Sequence, residues 1–320
     1  MRKGAGTAIV GASAVAVVAA VGYGVLTGNG PLSPASDECT ATVDGHSVDL
    51  TLEQAENAAL ITAISIRRGL PARAASIALA TAYQESDLYN IDYGDRDSLG
   101  LFQQRPSQGW GSEEQVLDPV YATNAFYDAL AEVNDYEGLE ITVAAQEVQR
   151  SGFPDAYADH EQDARTIASA LTGNSPEAFS CEIDDDVDSA DTTLLDTGLT
   201  DRADVVRREA LGMFGDLALG GFAPGGVSSG HIEGSAHYEG RAVDIFFRPV
   251  NAENQKSGWA VAHYLMAQSD RLDIKTIIFD DRIWTVSRSD QGWRDYDAPS
   301  GSGDPVILEH RDHVHVDVVE

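Results

Sequence analysis

The chain has 320 residues, with 52 Asp and Glu against 21 Lys and Arg, and a formal net charge of −31. A field of that sign excludes nucleic acid as a partner held by counterion release, and it favours solubility where salt screens the surface charge. The length is sufficient for two domains, each with its own core.

Met1-Arg2-Lys3 precedes an uncharged, Ala- and Val-rich run from Gly4 through Gly28. That run is long enough to span a bilayer, and the basic residues before it predict a cytoplasmic N-terminus with the rest of the chain outside. Residues 1–30 therefore read as a single-pass membrane anchor with extracellular domains. The alternative is a cleaved signal peptide and a secreted protein, since small residues such as Ser33-Pro34-Ala35 follow. Export agrees with the cysteines: Cys39 and Cys181 are the only two, and an even pair in an exported chain reads as a disulfide.

Between those cysteines the pattern is mainly helical. Thr51 and Gln54 form a capping box opening a helix that runs through Arg68, and the stretch 52–171 continues helical with loops at 90–97 and 105–118. The acidic run that follows lacks the Gly and terminal Glu of a calcium loop, so 182–196 reads as a solvated linker. Beyond it, helices are expected over 200–219 and 259–269, and strands over 242–247, 275–279, 283–286 and 313–319. The expected fold class is a mainly α domain over 38–181 followed by an α+β domain over 197–320 with a small antiparallel sheet.

Two constellations carry chemistry. Pro71 suits the start of an Ala-rich helix on which Ala78, Thr81, Ala82 and Glu85 share one face. The sequence Ala82-Tyr83-Gln84-Glu85-Ser86-Asp87-Leu88, followed by Ser98-Leu99-Gly100-Leu101-Phe102-Gln103-Gln104-Arg105-Pro106, resembles the lysozyme-like lytic transglycosylases. Their pattern is a Glu-Ser ending a helix, then Gly-Leu-Met/Phe-Gln and a Pro; Ala144 to Ser151 stands in the place of a further Ala-rich motif. The resemblance implies a lysozyme-like fold with Glu85 as catalytic acid and with Gln103 and Tyr83 as substrate-binding residues. Such an acid must be partly desolvated to stay protonated. In a lytic enzyme the sugar's own 6-hydroxyl completes the reaction and one carboxylate suffices. A hydrolytic enzyme uses a second, for which Asp95 and Asp97 are the candidates, and both outcomes remain open.

The second constellation is Ser235-Ala236-His237-Tyr238-Glu239-Gly240-Arg241-Ala242-Val243-Asp244 with Asp312-His313-Val314-His315. Two imidazoles and a carboxylate around an open position form the ligand set of a catalytic zinc. The pattern resembles the zinc D-alanyl-D-alanine peptidases of the VanX/VanY group, which also includes phage L-alanyl-D-glutamate endolysins. Their S-x-H-x-x-G-x-A-x-D motif is matched at every fixed position. By that resemblance His237, Asp244 and His315 bind Zn²⁺, and Asp312 is the general base, with His313 completing an H-x-H variant. Strand alternation separately places His313, His315 and Asp317 on one face and Val314, Val316 and Val318 on the other. Asp312 then reaches the site only if the chain bends before His313. The family's substrate arginine is missing from Ser228-Ser229-Gly230-His231-Ile232-Glu233-Gly234; Arg241, Arg248 or His231 are its candidate substitutes, and Arg241 is taken as a substrate-binding residue. His231, His263 and His310 otherwise read as incidental.

Together the two resemblances imply a bifunctional enzyme of the bacterial cell wall, whose partners are the glycan strands and stem peptides of peptidoglycan. A wall-binding protein with inactive clefts and a metal-binding surface protein are the alternatives from other classes.

Overall fold

A computed structural model describes residues 37–184, 189–300 and 303–320. Its first element is a hairpin of β1 (Glu38–Val43) and β2 (His46–Thr51). The two-residue turn Asp44-Gly45 has φ of 52° and 81°, the positive pair that lets a tight turn follow strand twist. β3 (Phe179–Glu182) pairs with the other edge of β1, giving the order β2-β1-β3. In that ladder Cys39 stands opposite Cys181, and the expected disulfide joins them.

The first lobe packs six helices beside this sheet: α1 (Leu52–Arg67), α2 (Ala72–Ser86), α3 (Glu113–Leu117), α4 (Pro119–Ala131), α5 (Ile141–Gln149) and α6 (Glu161–Leu171). The Thr51–Gln54 capping box is present, with the Gln54 N–H donating to Thr51 Oγ1 at 3.3 Å and the Thr51 N–H to Gln54 Oε1 at 3.0 Å. α2 is central because it is small: Ala74, Ala75, Ala78, Ala80 and Ala82 are fully buried, so α1, α4, α5 and α6 can all approach it.

The second lobe contains α7 (Asp201–Phe214), a six-stranded antiparallel sheet, and α8 (Ala252–Ala267) packed on that sheet. The strand order is β4 (Ala218–Gly220), β5 (Ala242–Phe246), β9 (His313–Val318), β6 (Ile274–Phe279), β7 (Arg282–Thr285) and β8 (Arg294–Asp295). A short α9 (Pro305–Leu308) precedes β9. α8 begins well before the apolar stretch that announces it, because Asn251 caps a polar first turn by accepting from the Asn254 N–H at 2.9 Å.

Residues Asp37–Glu320 form one compact unit. The seam between the lobes is a shared core: Gln268 Nε2 donates to the Glu56 carbonyl at 3.1 Å, Trp284 Nε1 to Cys181 at 3.1 Å and Trp293 Nε1 to Phe179 at 2.9 Å. His263, expected to be incidental, lies fully buried in this seam with Nδ1 2.8 Å from the Ala170 carbonyl.

The expectation of a cell-membrane location requires correction. Among the described residues no helix is long and apolar enough to cross a membrane. The run 4–28 on which the anchor and signal-peptide readings rest lies outside those residues. The disulfide is the feature that bears on location, since such bonds form and persist in oxidising compartments.

Candidate functional site

The register of the second sheet assembles the histidine cluster. β5 pairs with β9 so that Asp244 stands opposite His315, and Phe246 opposite His313. His237 arrives from the short 3-10 turn Ala236–Glu239 before β5. Three donor atoms then converge: His237 Nε2 is 3.0 Å from His315 Nδ1 and 3.1 Å from Asp244 Oδ1, which is 3.2 Å from His315 Nδ1. Around a tetrahedral ion with bonds of 2.0–2.1 Å, donors stand roughly 3.3–3.4 Å apart, so the set needs to open only slightly to hold a metal.

The opposite ring nitrogens are fixed as metal-ligating imidazoles require. His237 Nδ1 lies 2.8 Å from the Gly221 carbonyl, and His315 Nε2 lies 3.2 Å from Asp317 Oδ2. Gly221 has φ +79°, and a Cβ there would meet His237 Cε1 at 2.3 Å; only glycine lets this backbone pass so close. Burial alone would raise the Asp244 carboxyl, but hydrogen bonds from His237 and His315 hold it far below the usual carboxylate range. Burial disfavours the His315 imidazolium, yet Asp244 and Asp317 outweigh it and push its pKa up to about 9. The pocket is thus arranged to stabilise a positive charge at its centre.

His231 joins the cluster, contrary to expectation. It stacks on His237 with ring centroids 3.9 Å apart, and His231, His237 and Asp244 have ligand atoms within 4.8 Å of one another, a group that could hold a metal ion. His310 is also drawn in. Its ring lies 4.6 Å from that of His313 and 5.7 Å from that of His315, with Nδ1 buried and unpartnered. Both arrive on loops, where periodicity gives no signal.

Asp312 sits outside the donor cluster. Its Oδ1 lies 2.7 Å from His313 Nδ1, and its Oδ2 accepts from Arg248 Nε at 2.5 Å. The His313 ring in turn directs Nε2 towards the centre, 3.9 Å from Asp244 Oδ1. Arg241 lines the cavity over the cluster, with its guanidinium bonded to Glu239 and donating to the Val318 carbonyl at 2.8 Å. Arg248 is half-exposed and stacks over Phe246 with Cζ 4.1 Å from the ring centroid. A cavity of about 660 Å³ opens over the cluster, and His237, His313, His315 and Arg248 all line it.

In the first lobe Glu85 stands half-buried at the end of α2, and Tyr157 Oη donates to its Oε1 at 2.7 Å. Burial raises its pKa, while hydrogen bonds from Tyr157 and Gln149 pull in the opposite direction. The two motif halves are bonded together. Ser86 Oγ donates to the Leu101 carbonyl at 2.8 Å, and Gln149 Nε2 to that of Phe102 at 2.7 Å. Tyr83 stacks on His160 at 5.2 Å, and Gln103, with φ 45°, donates to the Tyr93 carbonyl at 3.2 Å. Asp97 is taken by Arg105 and the Ser107 N–H, and Asp95 is exposed beside Arg96. Tyr157 was not legible from the motif spacing, although Gln149 lies within the Ala-rich segment that was.

The fold is thus mixed helix and sheet, with a group formed by half-buried His231 and buried His237 and Asp244 that could hold a metal ion. Residues 196–305 match the family model described as the C-terminal domain of VldE. The match takes in His237 and Asp244 and ends before His313. No curated protein matches the chain.

Proposed function

We propose that the protein is a bifunctional peptidoglycan hydrolase, a zinc-dependent peptidase in its second lobe and a glycan-cleaving enzyme in its first. The convergence of His237, Asp244 and His315 beneath the open cavity, with His313 aimed at the same point, supports the peptidase reading. His237, Asp244 and His315 would hold a zinc ion, which would supply Lewis-acid polarisation of the scissile carbonyl and a water made nucleophilic at neutral pH.

The remaining work falls to the chain. His313, fixed through Nδ1 by Asp312, presents Nε2 as the acceptor for the proton of the attacking water. It then returns that proton to the leaving amine nitrogen as the peptide C–N bond breaks. Both carboxylate oxygens of Asp312 are engaged, one by His313 and one by Arg248. Asp312 therefore governs the proton through His313 rather than by direct contact.

For the glycan, Glu85 donates its proton to the departing glycosidic oxygen. Its partial burial keeps that proton in place at a higher pH than an exposed Glu would. Mass spectrometry of fragments from purified peptidoglycan tests both halves, because anhydro-sugar ends, new reducing ends and new peptide termini are distinct products. Absence of new peptide termini from a zinc-loaded sample defeats the peptidase reading, and absence of new sugar ends defeats the other.

A further inference from the structure

The cavity over the histidine cluster contains a cation that the rest of the fold leaves uncompensated. The chain has three lysines, Lys3, Lys256 and Lys275, within a net charge of −31. Lys275 lines the cavity, and among the described residues it has no ion-pair partner. Its position is built. In the β6–β9 ladder Ile274 pairs with Val318 and Thr276 with Asp317, so Lys275 is the extra residue of a bulge.

In a regular strand, neighbours point to opposite faces. Lys275 would then share the face of Ile277, which is buried in the core. Instead Lys275 and Thr276 both line the cavity, which is the re-aiming that a bulge provides.

Arg241 also lines the cavity but is paired with Glu239, and the remaining cation, Arg248, lies at the other end of the same groove. Arg248 uses Nε on Asp312 and lays its plane over Phe246, beside the His313 end of β9. Lys275 stands at the Asp317–Val318 end. Between them His315 and Asp244 occupy the middle of the ladder. From residue 313 to residue 317 a strand advances about 13 Å, the reach of about four residues of extended peptide.

We infer that Lys275 is an anion-recognition residue and that, with Arg248, it selects an extended peptide carrying a carboxylate on each side of the bond to be cut. The inference rests on the peptidase reading of this cavity and specifies its substrate class.

The test is a binding matrix on the zinc-loaded full chain, with cleavage followed separately in the same samples. The probes are N-succinyl-tetra-alanine with a free C-terminus, its N-acetyl counterpart and its C-terminal amide. In the wild type, removing either carboxylate should weaken binding roughly three- to tenfold, the range for a half-exposed charge-assisted contact. Lys275→Met should abolish sensitivity to one end and leave sensitivity to the other, Arg248→Met should do the reverse, and Lys275→Arg should behave as wild type. Carboxylate-dependent binding without cleavage defeats the peptidase reading while upholding the anion preference. Wild-type binding indifferent to both carboxylates, or a Lys275→Met variant that keeps both sensitivities, overturns the inference.

Discussion

Replacing Gly221 by Ala tests the proposed metal centre without substituting any proposed ligand. The added Cβ would lie 2.3 Å from His237 Cε1, 2.5 Å from its Nδ1 and 2.9 Å from Asp244 Oδ2. Contacts that short force the His237 ring to move, and with it the bond from Nδ1 to the Gly221 carbonyl at 2.8 Å. The left-handed backbone at φ +79° adds about 1–2 kcal/mol, and overpacking a filled site costs about 1–3 kcal/mol. Zinc affinity should fall by roughly 10–100-fold, the usual consequence of disturbing a group that orients a ligand. The control is Gly225→Ala, where φ is +82° but nothing lies within 4 Å of the added methyl. It should cost stability through the backbone alone and leave zinc affinity unchanged. Competition with a chromogenic chelator, alongside thermal unfolding of the metal-free proteins, separates the two effects. A folded Gly221→Ala variant that binds zinc as tightly as wild type would refute the assignment of His237 as an anchored ligand.

Four further outcomes are expected. His237→Ala or His315→Ala should lose both zinc and peptide cleavage, whereas Asp312→Ala should keep zinc and lose cleavage; zinc analysis beside a peptide-release assay checks this. Glu85→Gln should lower glycan cleavage by at least about a hundredfold, and Tyr157→Phe, by removing a bond that lowers the Glu85 pKa, should move the alkaline limb of the pH profile upward. Burial depresses the His263 pKa to about 4, so the folded state binds fewer protons than the unfolded state between pH 6.5 and 4. Stability should be full above pH 6.5 and fall by about 3 kcal/mol towards pH 4, a slope that His263→Leu removes in urea titrations. Reducing the Cys39–Cys181 bond, whose sequence separation is 142, should cost about 5 kcal/mol in the chain-entropy picture. Because Trp284 bonds the Cys181 carbonyl, one unfolding transition should shift in both lobes rather than in the first alone.

The parts of the fold that were readable are those in which one local rule dominates. The Thr51–Gln54 capping box marked the start of α1 to the residue, and the alternation of His313, His315 and Asp317 against three valines gave β9 and its cavity-facing side. The hairpin at 38–51 and β3 were not readable. They are short strands of mixed polarity, and their pairing depends on a partner far along the chain. The acidic run suggested separated domains for a similar reason: its charge describes the segment's own solvation and says nothing of the seam in which Trp284, Trp293 and His263 cross between lobes.

The same distinction explains which site residues were visible. His237, Asp244 and His315 belong to motifs with fixed spacing, and the β5–β9 register then brings Asp244 opposite His315. His231 and His310 have no such spacing: one reaches His237 from a glycine-rich loop, and the other turns towards His313 through a left-handed residue with φ 51°. Tyr157 reaches Glu85 from a 3-10 turn of five residues, too short for a pattern to form. Lys275 is the intermediate case. Ile274-Lys275-Thr276-Ile277 places two polar residues between two buried isoleucines, a break in strict alternation at the position of the bulge. A strand whose alternation slips by one residue must either bury a charge or bulge. With Lys275 exposed and lining a cavity, the chain takes the second course, and the slip in the pattern becomes the feature that gives this groove its positive end.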